Sequence, residues 1–242
     1  LSGRIQSIYW TFLNDAQQSK IQQQAEKQLF ILLEKELPTN IKKTLFGLYQ
    51  SIAVSDKGRG SLYLIWKKEN NIKNLFLNEN NYTSLAMQLA IFKHPNAKEI
   101  LEQQQTRISN PDRLERFKWL LPSLSADEKV RDDFMKSLLD KENREKESWV
   151  QTALSNMHHL LRQNSSTKHL RSILEQLEEV QLTGDIFFPK SWLASSIGKY
   201  SSKEANEILQ QFLNDNPNYN PILLKKLQQT TDNLEKAQNI KK

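Results

Sequence analysis

Glycine is scarce in this sequence: there are six in 242 residues, whereas an average chain of this length would hold about seventeen. Tight turns and β-hairpins rely on glycine, because it adopts positive φ angles at no steric cost, so hairpins should be rare. Leucine, glutamine, lysine and glutamate are abundant instead, and these residues lose little side-chain freedom in a helix. The sequence therefore predicts an all-α fold.

Apolar residues recur at spacings of three and four along almost the whole chain, which predicts about eleven or twelve helices of roughly ten to twenty residues. Helices of that length, joined by short polar connections, cannot bury their apolar faces alone. We therefore expect antiparallel pairs stacked side by side in an irregular HEAT-like array, an α-α superhelix. Residues 1–242 are predicted to form a single domain. A soft boundary is expected at the asparagine-rich connector 70–81, with one helical turn near Leu75.

Several helix ends are marked in the sequence. Residues 110–112 (NPD) combine a capping asparagine, a proline suited to the first helical position and an aspartate at the positive end of the helix dipole. Pro122 should kink or end the helix that starts there, near Leu121. Residues 125–128 (SADE) and 201–204 (SSKE) each place glutamate three positions after serine, the pattern of a capping box.

The charge pattern argues against a nucleic-acid partner. The net charge is +6, but acids and bases alternate, as in residues 140–147 (DKENREKE), which we interpret as a solvated surface or loop. No apolar run approaches the length of a membrane span, since the strongest, at residues 29–33, is followed at once by three charged residues. The chain opens at Leu1 without a methionine or a signal pattern, so we expect it to be part of something longer.

Residues that could carry catalysis are few and scattered. The chain has no cysteine, and it contains none of the signature motifs of metalloproteases, serine hydrolases or nucleotide-binding proteins. His158 and His159 are adjacent and would point about 100° apart on a helix, so they cannot share one metal; we expect one near the core and one at the surface. His94, before Pro95, should satisfy the unpaired carbonyls at a helix end. His169 has no evident partner in the sequence.

Two adjacent carboxylate pairs, Asp132-Asp133 and Glu178-Glu179, would suit acid–base chemistry if a pocket raised one pKa. Both pairs lie beside apolar helical stripes, so solvated faces are the favoured interpretation. The five tryptophans are spread along the chain, and we expect large anchors between helices rather than a ligand cage; they are Trp10, Trp66, Trp119, Trp149 and Trp192. The sequence therefore predicts no catalytic, cofactor-binding or metal-ligating residue.

Several stretches resemble the C-terminal helical domain of bacterial zinc aminopeptidases of the aminopeptidase N family. The resemblance covers residues 62–219, with only helical character matching on either side. Its more specific stretches are residues 110–125 (NPDRLERFKWLLPSLS), 147–150 (ESWV) with the following His158-His159 segment, and 184–193 (GDIFFPKSWL); residues 62–66 (LYLIW) and 82–86 (YTSLA) are less specific. None of these is a catalytic motif, but they occur in one consistent order.

This resemblance implies a role beside an active site that the chain does not contain. In that family the zinc ligands and the motif for the substrate's amino end belong to a preceding catalytic domain, and none of them is present here. The helical domain encloses a cavity over the catalytic face, so that short peptides enter and folded proteins are excluded. The expected partners are that catalytic domain of the same polypeptide and its peptide substrates, with zinc as the cofactor of the parent enzyme.

Basic residues on a concave face would suit a peptide's carboxylate, and the candidates by charge and position are Arg107, Arg113, Arg116 and Arg162. A second hypothesis is a free-standing basic helical-repeat scaffold that binds protein or nucleic acid. A single basic stripe would favour that scaffold, whereas mixed charge with an apolar docking strip would favour a missing domain. A third is an enzyme with an unfamiliar site. The chain is expected to be soluble, and both the bacterial cytoplasm and the periplasm remain open.

Overall fold

The computed structural model describes residues 2–241, and within that range it contains helices and no β-strand. The predicted all-α class is confirmed; the finer HEAT-like arrangement stays a prediction. The helices up to the middle of the chain are α1 (Ser2–Ser7), α2 (Asp15–Glu34), α3 (Thr39–Ile52), α4 (Asp56–Lys67), α5 (Glu79–Ile91), α6 (Ala97–Arg107) and α7 (Pro111–Leu124). A π-helical turn, Ile8–Phe12, follows α1.

The later helices are shorter on average. They are α8 (Glu128–Ser137), α9 (Glu147–Met157), α10 (Gln163–Ser166), α11 (Leu170–Glu175), α12 (Leu177–Thr183), α13 (Phe188–Ser195), α14 (Lys203–Asp215) and α15 (Pro221–Ile240). Four 3₁₀ turns lie between them: Lys141–Arg144, Leu160–Arg162, Thr167–His169 and Ile197–Lys199. Eleven of the helices in the described part of the chain have eight or more residues, in agreement with the number that the apolar periodicity predicts.

The chain divides into two compact units, Leu1–Lys118 and Trp119–Lys242, and the division falls within α7. The connector at residues 70–81, where a soft boundary was expected, lies inside the first unit. That the whole chain is one domain stays a prediction.

In the first unit, α2 packs on α3, and α5 packs on both α4 and α6. The side chains that these contacts remove from water are large and apolar, and burying each stabilises the fold by about 1.5–3 kcal/mol; among them are Leu33, Phe46, Tyr49, Leu62, Trp66, Leu85 and Leu89.

The connector between α4 and α5 is irregular, so the predicted helical turn near Leu75 is wrong. Lys42 of α3 fixes this connector. Its side chain is fully buried, and its ammonium group donates a hydrogen bond to the Lys73 carbonyl. Asn78 then caps α5 together with Asn81, each side chain accepting from the other's backbone N–H. Helix α5 consequently starts at Glu79, inside the segment that the sequence predicts to be connector.

In the second unit, α13 packs on α9 and α15, and α14 packs on α11 and α15. The core of this unit is continuous through those helices and contains Val150, Leu154, Leu170, Ile173, Leu174, Trp192, Leu193, Leu209, Leu223 and Leu227. Trp192 is buried at its centre and donates its indole N–H to the Ile173 carbonyl at 3.1 Å. This hydrogen bond satisfies the indole N–H, which is the one polar group of the tryptophan side chain.

The start of α7 is confirmed, but its predicted end is wrong. Asn110 Oδ1 accepts from the Arg113 N–H at 3.0 Å, and the helix begins at Pro111. It then continues through Pro122 to Leu124. Pro122 lies in the last turn and removes only one helical hydrogen bond, while the buried Arg162 guanidinium binds the final carbonyls, those of Ser123 at 2.6 Å and Leu124 at 2.9 Å.

The two predicted capping boxes do not form, and each helix instead has a single capping side chain one or two residues after the predicted serine. Helix α8 is capped by Asp127, which accepts from the Lys129 N–H at 2.9 Å, and Ser125 only accepts from the Asp127 N–H. Helix α14 is capped by Ser202, which accepts from the Ala205 N–H. Both sequences offer two capping side chains in close succession, and in both the helix begins after the later one.

Candidate functional site

His158 and His159 lie in the turn that follows α9 and not on a helix. His158 is fully buried, and its Nδ1 is 2.8 Å from the hydroxyl of the buried Tyr200. His159 is half-buried and its Nδ1 accepts from the Leu161 N–H at 3.3 Å, which starts the next 3₁₀ turn. Burial lowers the pKa of His158 to about 3 and that of His159 to about 4. Both rings are therefore neutral structural groups at neutral pH.

The other two histidines also serve local structure. His94 stacks on Tyr63, with ring centroids 4.6 Å apart, and its Nδ1 accepts from the Asn96 N–H at 3.1 Å. His169 has a partner that the sequence did not reveal: its Nε2 lies 2.7 Å from the Asp132 carboxylate, 37 residues away. His94 thus accepts from a backbone N–H where a bond to carbonyls was expected, and each of the four histidines has a hydrogen-bond partner within the fold.

The adjacent carboxylates are divided between ion pairs and solvent, as a structural role requires. Asp132 binds Lys168 as well as His169; partial burial alone would raise its pKa, but these hydrogen bonds leave the pKa of Asp132 below its ordinary value. Asp133 is exposed. Glu179 pairs with Arg144, and Glu178 is exposed.

Arg144 corrects the interpretation of residues 140–147 as a solvated segment. Most of the segment is exposed, but Arg144 is buried and donates to the carbonyls of Leu138 at 2.9 Å and Leu139 at 2.8 Å. Its guanidinium also pairs with Glu179 and lies 5.8 Å from the Trp192 ring centroid. A single charged side chain of this run is thereby part of the core of the second unit.

The four arginines suggested for a peptide carboxylate fall into two groups. Arg107 stacks on Trp66 at 4.2 Å and donates to the Trp66 carbonyl, and Arg162 is buried against the end of α7. Burial lowers the pKa of Arg162 to about 10, with a contribution from nearby Arg131. Arg113 is half-exposed and lies 3.4 Å from Glu79; Arg116 is exposed on the same helix. Of these four arginines, Arg107, Arg113 and Arg116 are exposed, and only Arg162 is buried.

Three tryptophans confirm the expected anchoring role. Trp10, Trp66 and Trp192 are buried, and each indole N–H has an oxygen partner. Trp119 and Trp149 differ, because both are only half-buried; their rings meet edge to face with centroids 5.8 Å apart, and the Lys146 ammonium lies 3.9 Å from the Trp149 ring. These two rings are therefore only partly covered by the rest of the second unit.

The most exposed apolar cluster of the second unit is formed by Leu182, Ile186 and Phe187, here called the apolar loop. Ile186 and Phe187 are each 74% exposed and Leu182 is 84% exposed. The loop is nevertheless held at defined points: Glu147 accepts from the Asp185 N–H at 2.6 Å, Asp185 accepts from the Phe187 N–H at 2.7 Å, and Lys226 donates to the Ile186 carbonyl at 3.1 Å. It therefore presents apolar side chains on a fixed backbone.

The sequence contains a signal for this loop. Ile186, Phe187 and Phe188 are consecutive, and three neighbouring side chains cannot all face one core. Phe188 is buried at the start of α13, while the other two remain in solvent.

Within residues 2–241 no three histidine, aspartate or glutamate side chains are grouped so that they could hold a metal ion. None of the described helices combines the length and the apolar character needed to cross a bilayer. A comparison with protein-family models and with curated protein sequences finds no match.

Proposed function

We propose that this chain is the non-catalytic C-terminal domain of a zinc-dependent aminopeptidase. In this role it caps the cavity over the catalytic zinc and controls which peptides enter. Zinc would be held by the catalytic domain of the same polypeptide, and no residue of this chain is assigned to it. The proposal starts from the resemblance of residues 110–125, 147–150 and 184–193 to such domains.

The observation that carries the proposal is the apolar surface exposed by those same stretches. Two of the three residues of the apolar loop, the exposed Ile186 and Phe187, belong to residues 184–193. The partly buried Trp119 and Trp149 belong to the other two stretches. Large apolar side chains that remain in water on a fixed backbone are typical of a surface that a partner covers. Aromatic residues dominate the binding energy of such interfaces.

The distribution of charge favours a protein partner over nucleic acid. Basic side chains of the second unit are neutralised by neighbouring acids: Lys168 lies 2.6 Å from both Glu128 and Asp132, and Arg171 pairs with Glu175 and Asp215. A phosphate-binding face needs basic residues with few acids among them. The net charge of +6 is therefore spread over mixed surfaces.

A capping domain of this kind would act on selectivity and not on bond cleavage. A lid that closes over an active site excludes water and large substrates, and it can hold the distal part of a peptide without touching the scissile bond. Arg107, Arg113 and Arg116 are the exposed cations of the candidate set and could meet a peptide's carboxylate.

The first test asks whether the isolated chain lacks peptidase activity and zinc, and whether the complete polypeptide contains the zinc-binding motif. The purified chain should hydrolyse no amino-acid 4-nitroanilide and should contain no stoichiometric zinc by atomic emission. The complete reading frame that encodes the chain should contain an H-E-x-x-H motif upstream of Leu1. Hydrolysis or a zinc site in the isolated chain would refute the proposal, as would a complete reading frame without that motif.

The second test addresses the docking surface in the complete polypeptide. Phe187→Asp should lower kcat/KM for a short peptide by about tenfold or more, because a charge in a covered aromatic position costs a hot-spot contact. Phe76→Asp is the matched control, since Phe76 is 73% exposed in the first unit, and it should leave kcat/KM within about twofold. Equal effects of the two substitutions would contradict the assignment of the surface.

A further inference from the structure

A cavity of about 710 Å³ opens in the first unit between α2, α3 and α4, within the range of roughly 300–1,000 Å³ that small-molecule sites occupy. One face of α2 forms its first wall through residues spaced three and four apart: Gln23, Glu26, Lys27, Phe30, Ile31 and Glu34. Tyr49 of α3 lines it as well, and the opposite wall is the start of α4, from Ser55 to Ser61.

Glu26 places a carboxylate at this cavity although only 5% of the residue is exposed. Its Oε1 accepts from the Ser55 N–H at 2.9 Å and from the Gln22 side-chain amide at 3.2 Å, and its Oε2 accepts from the Ser55 hydroxyl. A carboxylate has about four acceptor positions. Three are used by these donors, and one remains on Oε2.

Within the part of the chain that the structure describes, the Glu26 carboxylate accepts hydrogen bonds from neutral donors only. A buried carboxylate is far more stable beside a cation than beside neutral donors only. Its negative field reaches Tyr9, whose pKa is raised to about 12 by burial and by Glu26. The cavity wall thus carries a carboxylate with neutral donors only, which a cation would complement.

Gly58 is buried and packs closely beside the same oxygen. A Cβ built on Gly58 would lie 2.8 Å from Oε2 of Glu26 and 2.9 Å from the Ala53 carbonyl carbon. Glycine is therefore required for the start of α4 to approach Glu26 this closely, and both residues line the cavity.

The remaining wall suits an apolar stem next to the cation. Phe30 and Tyr49 meet with ring centroids 5.4 Å apart, and Ile31 lies one position further on the same wall. Aromatic faces attract ammonium groups through their quadrupole. Of the other charged lining residues, Asp56 pairs with Arg59, while Glu34, Lys27 and Lys57 are exposed at the rim.

We propose that this cavity binds a primary amine on an aromatic or aliphatic stem, with the ammonium on Oε2 of Glu26 and the stem against Phe30, Ile31 and Tyr49. The inference goes beyond the aminopeptidase proposal and does not depend on it. The rim lysines, Lys27 and Lys57, would additionally favour a ligand that carries a carboxylate. The alternative is that Glu26 only fixes Ser55 at the start of α4 and that the cavity holds water.

The experiment titrates the full chain with phenethylamine, followed by calorimetry or by NMR shifts. N-acetylphenethylamine is the matched ligand, since it keeps the ring and loses the charge. The amine should bind about tenfold or more tightly than the amide, the difference expected for one charge-assisted hydrogen bond. Failure of the amine to bind, or equal affinity of both ligands, would overturn the proposal. Phenylalanine forms a further arm; tighter binding than phenethylamine identifies a zwitterion as the preferred ligand, and weaker binding a simple amine.

Two variants test whether Glu26 is the carboxylate that binds the amine. Glu26→Gln should weaken phenethylamine about tenfold, whereas Glu34→Gln, at the rim, should leave its affinity within about twofold. Circular dichroism establishes that each variant is folded; if Glu26→Gln fails to fold, the comparison of amine and amide on the unaltered chain decides alone. An equal loss in both folded variants would contradict the role of Glu26.

Discussion

At the scale of single residues, His158 and Tyr219 differ in whether their buried polar atoms have a hydrogen-bond partner. The Nδ1 of His158 has the Tyr200 hydroxyl as partner, but its Nε2 has none among the described residues. The Tyr219 hydroxyl is also buried without a partner in that part of the chain. A buried polar atom that loses its partner costs about 1–3 kcal/mol, whereas an unpaired hydroxyl can be removed at little cost.

The two tyrosines therefore give opposite predictions for the same substitution. Tyr200→Phe should lower the free energy of unfolding by about 1–3 kcal/mol, because it leaves His158 with two unpaired nitrogens. Tyr219→Phe should change that free energy by no more than about 0.5 kcal/mol. Urea denaturation followed by circular dichroism measures both. A loss in Tyr219→Phe as large as in Tyr200→Phe would contradict this account.

The sequence gives partial warning of such residues. Glu26 occupies a position four before Phe30 and seven before Leu33, on the face of α2 that turns inward. A charge at such a position is the sign of a buried polar group. The identity of its partner, the Ser55 backbone 29 residues later, has no sequence signature.

At the scale of helices, α7 depends on a side chain that is distant in sequence. Its last carbonyls, those of Ser123 and Leu124, are bound by Arg162, which lies 39 and 38 residues further along the chain. Carbonyls at a helix end have no intrahelical partner. A buried guanidinium therefore replaces the usual glycine cap and lets the helix run past Pro122.

We expect Arg162→Met to destabilise the fold by about 3 kcal/mol, since it strips charge-assisted hydrogen bonds from buried carbonyls while keeping much of the side-chain volume. Arg171→Met is the control. Arg171 is partly exposed and forms ion pairs at the surface, and such pairs contribute less than about 1 kcal/mol. Thermal unfolding of the two variants compares them. Similar losses in both would show that Arg162 does not support α7.

At the scale of the whole molecule, acid should destabilise the protein before its carboxylates titrate. Folding lowers the pKa of His158 to about 3 and that of His159 to about 4, against an ordinary value of 6.5. Below pH 6.5 these two histidines therefore bind protons in the unfolded chain but stay neutral in the folded chain. The stability that the two neutral histidines contribute is fully present above pH 6.5 and is lost as the pH falls towards 3.

This loss is measurable as urea midpoints between about pH 7 and about pH 5, where each histidine contributes a slope approaching 1.4 kcal/mol per pH unit. His159→Asn retains a side chain that can cap the Leu161 N–H and removes one titrating group, so its slope should be shallower. Stability that is constant or rises on acidification over this range would refute the prediction.

The sequence by itself determined the all-α class, the helix start at Asn110 and Pro111, and the mixture of charges, because propensity, capping and periodicity act within a few residues of the chain. Only the tertiary structure decided that α7 passes Pro122, that Arg144 and Arg162 are buried, and that Phe188 is covered while Phe187 is exposed. The physical reason is that a polar or aromatic side chain is buried where a partner from another helix meets its hydrogen bonds and fills its volume. That partner often lies about forty residues away, as it does for Arg162, and local patterns do not specify it.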